Sequence, residues 1–418
     1  MRVIEIEGGR PLRGELEVQS AKNSVLPILA ASLLSSDSCL IEHCPRLEDV
    51  EASAAILRHL GCRVLWQGED LLVDSRGLCR WEIPDELMRS MRSSVIFLGA
   101  ILARCRRAEL TYPGGCELGP RPIDLHLAAL RSLGAQAEDT GGRLSCRGEG
   151  LRGAEIVLHL PSVGATENAI LAACGAPGAT MIVNAAREPE IVDLQRFLRK
   201  MGAEVCGAGT STVTVEGGRP LHGCRHRCIG DRIAAATYLS AAAAAGGDVR
   251  LTGVDYRHLS TVTTALQRAG CLVSCDESSI RLCSDGRLQG AGPIHTAPYP
   301  GFPTDAQAVV MAAVLRAAGT TLFVENMFQS RFRHVSELLR MGADIRTEGR
   351  VAVVCGVPEV HGATVRCTDL RGGAALVLAG LQARGATRVE EIRHIHRGYG
   401  DLAGDLARLG AEIREAER

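Results

Sequence analysis

The segment Ile4–Gly14, IEIEGGRPLRG, returns almost unchanged as Val213–Gly223, VTVEGGRPLHG. Alternating apolar residues running into Gly-Gly and then Pro describe a short strand, a turn and a second extended piece. In the downstream copy these strands close a unit of structure. In the upstream copy they stand at the start of the chain, while the last unit stops at Arg418 without closing strands. The N-terminal segment therefore reads as the displaced tail of the last unit.

Working outward from that duplication, a repeat emerges. RHLGCRV, RSLGAQA, RKMGAEV, QRAGCLV, LRMGADI and ARLGAEI place glycines at 61, 134, 202, 270, 342 and 410, with spacings of 73, 68, 68, 72 and 68 residues. Such regularity is the mark of one supersecondary unit used six times. Each unit opens with a small-residue apolar helix: NSVLPILAASLLS, SSVIFLGAILAR, ATENAILAACG, RIAAATYLSAAAAA, DAQAVVMAAVLRAA and GGAALVLAGLQAR. A helix without a polar face is buried on all sides, so six of them are expected inside, with sheets outside. A strand such as CLIEH or TLFVE follows each, then an amphipathic helix ending at the repeat glycine, which fits a helix C-cap, then short closing strands.

Three units run from Lys22 to Ile229, and three wrap around 230–418 plus 1–21. The expected fold is α/β, with six βαβαββ-type repeats in two pseudo-symmetric domains, 22–229 and 1–21 plus 230–418. Two chain crossings would join them, with a cleft between the domains as the natural place for a site.

Composition narrows the function. The net charge of −1 lacks the basic excess that phosphate-backbone binding requires, so nucleic acid is not an expected partner. The longest small-apolar run, Ile233 to Ala245, falls short of the ~20 residues of a membrane span, and MRVIEIEGG is not a signal-peptide pattern. Sixteen cysteines then point to free thiols in a reducing cytoplasm rather than to disulfides.

Whatever differs between six copies of one scaffold is where function belongs. At the starts of the buried helices stand Lys22-Asn23, Arg92, Ser162, Asp231-Arg232, Asp305 and Arg371. The turns after the first strands carry Arg46, Cys116 with Arg121, Arg187-Glu188, Arg257-His258, Arg331-Arg333 and Arg393 to Arg397. Helix N-termini and clustered guanidinium groups suit phosphate and carboxylate. Polyanionic small-molecule substrates follow.

The stretches SAKNSVLPILAA, LTYPGGCELGPRPIDLH, NAAREPEIVDL, FPTDAQA, SRFRHVSEL, TDLRGGAALVLAG and HIHRGYGDL carry a resemblance along the whole chain. The chain resembles the UDP-N-acetylglucosamine 1-carboxyvinyltransferase family of enolpyruvyl transferases, and PGGC followed by RPIDLH is the specific part of the match. The resemblance implies inside-out α/β barrels and an active site between the domains. It also implies the substrates phosphoenolpyruvate and UDP-N-acetylglucosamine, and a reaction needing no cofactor and no metal. Such an enzyme would act in the cytoplasm at the start of peptidoglycan precursor synthesis, and a cleft within one chain suits a monomer.

It further implies roles. Cys116 becomes the general acid toward the enolpyruvate methylene, able to form an adduct with phosphoenolpyruvate and to be alkylated by fosfomycin, on a loop that Gly114 and Gly115 let close. Lys22 and Asn23 hold phosphoenolpyruvate, with Arg121 and Arg397 completing an anion clamp. The UDP-sugar falls to Arg92, to the run Arg121, Pro122, Ile123, Asp124 and Leu125, to Ser162, Val163 and Gly164, and to Met327. Arg331 and Arg371 are supporting arginines. Asp305 is the base near the sugar 3-hydroxyl, and Asp231 either shuttles the C3 proton or only caps its helix.

On residue type alone the readings are plainer: Lys22 a solvated lysine beside a capping asparagine, Asp305 an N-cap carboxylate, Cys116 a loop cysteine. Three features depart from the family pattern. Leu160 and Glu48 stand where relatives carry lysine, and His222, Cys224, His226 and Cys228 alternate as if on one face of a strand. That spacing matches no common zinc signature, so the tract reads as a cysteine-rich strand ahead of a metal site. Two other functions remain open here: a shikimate 3-phosphate enolpyruvyl transferase, which would not share the PGGC loop, and a non-catalytic UDP-sugar-binding regulator.

Overall fold

Helices Lys22–Ala31, Phe97–Cys105, Val163–Cys174, Arg232–Ala245, Thr304–Ala313 and Leu370–Gln382 are made chiefly of Ala, Leu, Val and Ile, and each is buried along nearly its whole length. Six others bury one stripe and leave the rest to solvent: Glu48–His59, Asp124–Ser132, Pro189–Lys200, Ser260–Arg268, Val335–Arg340 and Leu402–Arg408. Every one of these outer helices ends at a repeat glycine, and all six glycines have φ between 89° and 105°. That left-handed conformation costs glycine nothing and other residues about 1–2 kcal/mol. At Gly61 an added Cβ would also stand 2.4 Å from the Gly77 carbonyl oxygen. The sequence period is thus a period of helix stops.

The computed structural model describes residues 2–114 and 123–417. They divide into two units, 2–19 with 230–417, and 20–114 with 123–229, each around its own apolar core. Ser20 and Ala21 fall with the second of these and not with the N-terminal strands, two residues earlier than the boundary expected from sequence.

Each repeat contributes three strands of a four-stranded sheet and takes the fourth from a neighbour. Ser38–Glu42 pairs antiparallel with Asp70–Asp74, which pairs with Arg63–Gln67. Glu82–Ile83 then leaves to lie parallel to Arg107–Thr111 of the next repeat, and Glu155–Val157 likewise joins Gly178–Val183. Arg225–Arg227 comes back to the first sheet, Arg225 opposite Leu40, so three repeats close into a ring.

The other unit closes the same way. Gly292–His295 joins Thr320–Val324 and Thr364–Arg366 joins Ala386–Glu390. Arg2–Glu7 fills the sixth sheet between Ala386–Glu390 and Glu412–Glu417, and Leu12–Glu17 pairs parallel with Gly247–Thr252. IEIEGGRPLRG therefore supplies the strands that the last repeat lacks. Had every closing strand paired with the strand next in sequence, Leu12–Glu17 would lie beside Ser38–Glu42; the exchange of partners between Leu12–Glu17 and Arg225–Arg227 is what makes two rings of three.

The His222 to Cys228 tract is not one strand. Only Arg225–Arg227 is extended; His226 and Cys228 are buried, His222 is exposed, and Cys224 lies against Cys39.

Candidate active site

Lys22 begins the first buried helix, whose N-cap, Ala21, offers no side-chain acceptor. The lysine is not solvated: it is 7% exposed, and Nζ lies 2.8 Å from Asp49 Oδ2. Asn23 is half-buried within the first turn and does not cap it. A buried ammonium held by a carboxylate in this way is a fixed positive charge at the helix start.

Gly164 and Arg92 lie near a residue sequence reasoning passed over, His126, with Ser162 and Val163 at the start of the helix that carries Gly164. His126 sits one turn into the helix Asp124–Ser132, of which Asp124 is exposed, Leu125 half-buried and the preceding Ile123 buried. His126 Nδ1 is 2.7 Å from the Asn168 side-chain nitrogen, which also donates to Val95 O at 3.0 Å. Burial, with the Arg92 charge second, holds its pKa down at about 4, so the ring is neutral and accepts at Nδ1. Gly164 packs on it so tightly that a Cβ would stand 2.9 Å from Cε1. Ser162 caps the helix Val163–Cys174, its Oγ accepting from the Ala165 N–H at 3.4 Å, and Arg92 donates to Pro113 O at 3.4 Å.

In the other unit Asp305 is not an N-cap. It is the second residue of the helix Thr304–Ala313, and its carboxylate reaches sideways to Arg331 Nη2 at 2.7 Å and Arg371 Nη2 at 3.2 Å. Both arginines have side chains 3% exposed, against 30% for Asp305. The carboxylate is thus the open end of a buried charge network. Arg371 continues inward to Tyr399 Oη at 3.2 Å, and Tyr399 to Thr237 Oγ1 at 2.8 Å. Buried guanidinium groups are tolerated only when paired and hydrogen-bonded in this way. Asp231 does cap: Oδ1 accepts from the Ile233 and Ala234 N–H groups at 2.8 and 3.0 Å.

Two further side chains position this group. Glu325, 1% exposed, accepts from Thr304 Oγ1 at 3.0 Å through one oxygen and from the Met327 N–H at 2.8 Å through the other, fixing the Asp305 helix and the half-exposed Met327 together. Gln19 donates to Gly398 O at 2.9 Å and accepts from the Gly400 N–H at 3.0 Å, holding the turn that carries half-buried Arg397. Neither residue has a sequence signal beyond its chemistry, because both act through long-range pairings. Cys116, Arg121 and Pro122 lie outside the described residues.

The chain is similar to known proteins along its length. The family model described as EPSP synthase (3-phosphoshikimate 1-carboxyvinyltransferase) matches residues 6–406. A UDP-N-acetylglucosamine 1-carboxyvinyltransferase 2 of Caldanaerobacter subterraneus subsp. tengcongensis is 48% identical over 413 residues, 99% of each chain. A UDP-N-acetylglucosamine 1-carboxyvinyltransferase of Mycolicibacterium paratuberculosis is 46% identical over 412 residues, again 99% of each chain. Among solved structures, the enolpyruvyl transferase NikO from Streptomyces tendae superposes with a TM-score of 0.86 at 25% identity, covering 99% of both chains. An EPSP synthase from Acinetobacter baumannii, at 20% identity and a TM-score of 0.75 over the full length of both, shares the fold. Matched along nearly its whole length in sequence and in backbone, the chain belongs to the EPSP synthase family of enolpyruvyl transferases and, within it, to the UDP-N-acetylglucosamine 1-carboxyvinyltransferases.

Proposed function

We propose that this enzyme transfers the enolpyruvyl group of phosphoenolpyruvate to the 3-hydroxyl of UDP-N-acetylglucosamine, releasing phosphate, as the first committed step of peptidoglycan precursor synthesis. The observation that carries the reading is identity of 46–48% over 99% of the chain with relatives bearing that activity in their names. In this reading Lys22, Asn23, Arg121 and Arg397 bind phosphoenolpyruvate. Arg92, Arg121 to Leu125, Ser162 to Gly164 and Met327 bind the UDP-sugar.

The sugar oxygen attacks C2 while Asp305 takes its proton and Cys116 protonates C3. The tetrahedral adduct then loses phosphate and a C3 proton to regenerate the enol ether. Arg331 and Arg371 fix the Asp305 carboxylate through charge-assisted hydrogen bonds, and its side chain is 30% exposed, so a substrate hydroxyl can approach it. Asp231, which caps its own helix through Oδ1, is proposed to take part in moving the C3 proton. We further propose that the enzyme is a monomer acting in the cytoplasm, where its thiols stay reduced. Among the described residues no helix is long and apolar enough to cross a membrane.

Phosphate release from phosphoenolpyruvate tests this. Release is expected with UDP-N-acetylglucosamine and not with shikimate 3-phosphate, and it falls about 10²- to 10⁴-fold in Asp305→Asn and Cys116→Ala. Release with shikimate 3-phosphate alone, or with neither acceptor, overturns the reading.

A further inference from the structure

Asp193, His226 and Cys228 take no part in the proposed reaction, yet all three are buried, and one donor atom from each lies within 4.8 Å of the other two. The cluster has a local cause. His226 and Cys228 are two apart on and just after the strand Arg225–Arg227, so they share a face, and Asp193 comes from the buried stripe of the helix Pro189–Lys200. Asp193 and His226 are fixed from outside the cluster. Asp193 Oδ2 accepts from Ser24 Oγ and from the Ile229 N–H at 3.2 Å, and the His226 ring stands edge-on to Phe197 with centroids 5.5 Å apart.

That leaves Asp193 Oδ1, 3.1 Å from His226 Nε2. Two ligand atoms about 2.0–2.1 Å from one tetrahedral ion stand about 3.3 Å apart, so this edge of a metal site is already set. Asp193 is the only polar partner of His226 among the described residues, and the buried Nδ1 has none. The cluster also lines a cavity of about 550 Å³, which gives an ion a way in and room for a fourth ligand. Arg196, Arg199, Lys200 and Arg227 share the cavity wall; they oppose a bare cation, but they lower the cost of holding two anionic ligands together out of water.

We propose that Asp193, His226 and Cys228 form a three-ligand site for a thiophilic divalent cation such as Zn²⁺, with the fourth position open to the cavity. Carboxylate, imidazole and thiolate are a donor set that suits this ion. Binding is an exchange without redox change. As the metal–sulfur bond forms, Cys228 releases its thiol proton to solvent, Asp193 binds as the carboxylate, and neutral His226 binds through Nε2. The ion then ties the outer helix to the strand that closes the ring against Ser38–Glu42.

Titrating the full-length, metal-stripped protein with Co²⁺ tests the proposal. One equivalent is expected to give a thiolate-to-cobalt charge-transfer band with the intense visible bands of a tetrahedral ion, displaced by Zn²⁺. Cys228→Val removes the charge-transfer band, and both it and His226→Gln weaken binding by more than the roughly 10- to 100-fold that loss of an outer-shell partner costs. Circular dichroism confirms that the variants fold. Zn²⁺ raises the thermal midpoint of the unaltered protein and not that of Cys228→Val. No cobalt band at stoichiometric metal, or the same band in Cys228→Val, overturns it.

Discussion

In the unit of residues 20–229 the buried helices open at Lys22, Arg92 and Ser162 with no acid in the first turn; in the other unit they open at Asp231, Asp305 and Asp369. The topology is the same, so the difference is chemical. A helix N-terminus carries partial positive charge and unpaired N–H groups, and an acid there is worth about 0.3–1 kcal/mol while a cation is disfavoured. Asp231 and Asp369 follow that rule, each accepting two backbone N–H groups. Lys22 and Arg92 break it. Local rules are broken where function needs the residue: two of the three helix starts of the first unit carry a cation and no side-chain cap, while Ser162 keeps its cap, which accords with the proposal that Lys22 and Arg92 meet anionic ligands. Asp305 is the exception in the second unit: an acid at a helix start whose carboxylate reaches Arg331 and Arg371.

The largest effect should come from Lys22. Both ends of the Lys22–Asp49 pair are buried, at 9% and 3% side-chain exposure, and removing one partner of a buried pair costs about 3–5 kcal/mol because the other loses its countercharge out of water. Lys22→Met is expected to lower the urea midpoint accordingly and to abolish phosphate release. Lys22→Met with Asp49→Leu removes the stranded charge and should recover most of the stability without recovering activity. Recovery of activity in the double variant would make Lys22 a purely structural residue and dissolve the contrast between the units.

The next effect is a pH dependence that each unit carries in one buried imidazole. Burial holds both His126 and His334 down at about 4 from the ordinary 6.5. Between those values the unfolded chain binds the proton and the native one does not, so stability is full above pH 6.5 and is lost as the pH falls toward 4. The loss is on the order of 3 kcal/mol for each histidine. The two differ in their partners: His126 has Asn168, while among the described residues neither ring nitrogen of His334 has a hydrogen-bond partner. Chemical denaturation from pH 7 to 4 should show the decline. His334→Phe should flatten it without loss at pH 7, and His126→Phe should flatten it but destabilise at pH 7 by leaving Asn168 one partner short. Equal behaviour of the two variants would refute the distinction.

How much of this was legible in the sequence follows from what each feature depends on. The repeat, the buried helices and the helix stops are local, so composition and six glycines disclosed them. The displaced N-terminal strands were legible because a duplicated segment marks its own place. Lys22 read on its own was a solvated lysine and Asp305 an N-cap. Both readings fail because Asp49, Arg331 and Arg371 reach these residues from 27, 26 and 66 positions away, and no local pattern encodes such pairings. The same reason hides Glu325 and Gln19. It also hides the Asp193 partner of the His226–Cys228 pair, where alternation suggested four residues on one face and the short strand Arg225–Arg227 selects two.

The smallest effect sharpens the comparison at its weakest point. If the first unit presents cations at its helix starts, Leu160 is the gap: it stands two residues before the Ser162 cap, 61% exposed, where a large apolar side chain gains nothing from burial. A lysine there should add one solvent-screened charge to the proposed UDP-sugar site. A single exposed ionic contact is worth about 0.2–1 kcal/mol, so Leu160→Lys is expected to lower KM for UDP-N-acetylglucosamine by up to about 5-fold. Both ground state and transition state keep the diphosphate, so kcat should not change. The gain should shrink as salt is raised, since an exposed contact is screened within about 8–10 Å at 0.10–0.15 M. An unchanged KM at low salt would mean that the helix start at Ser162 serves the ligand through its backbone N–H groups alone, and the division between a cationic and an acidic unit would then rest on Lys22 and Arg92.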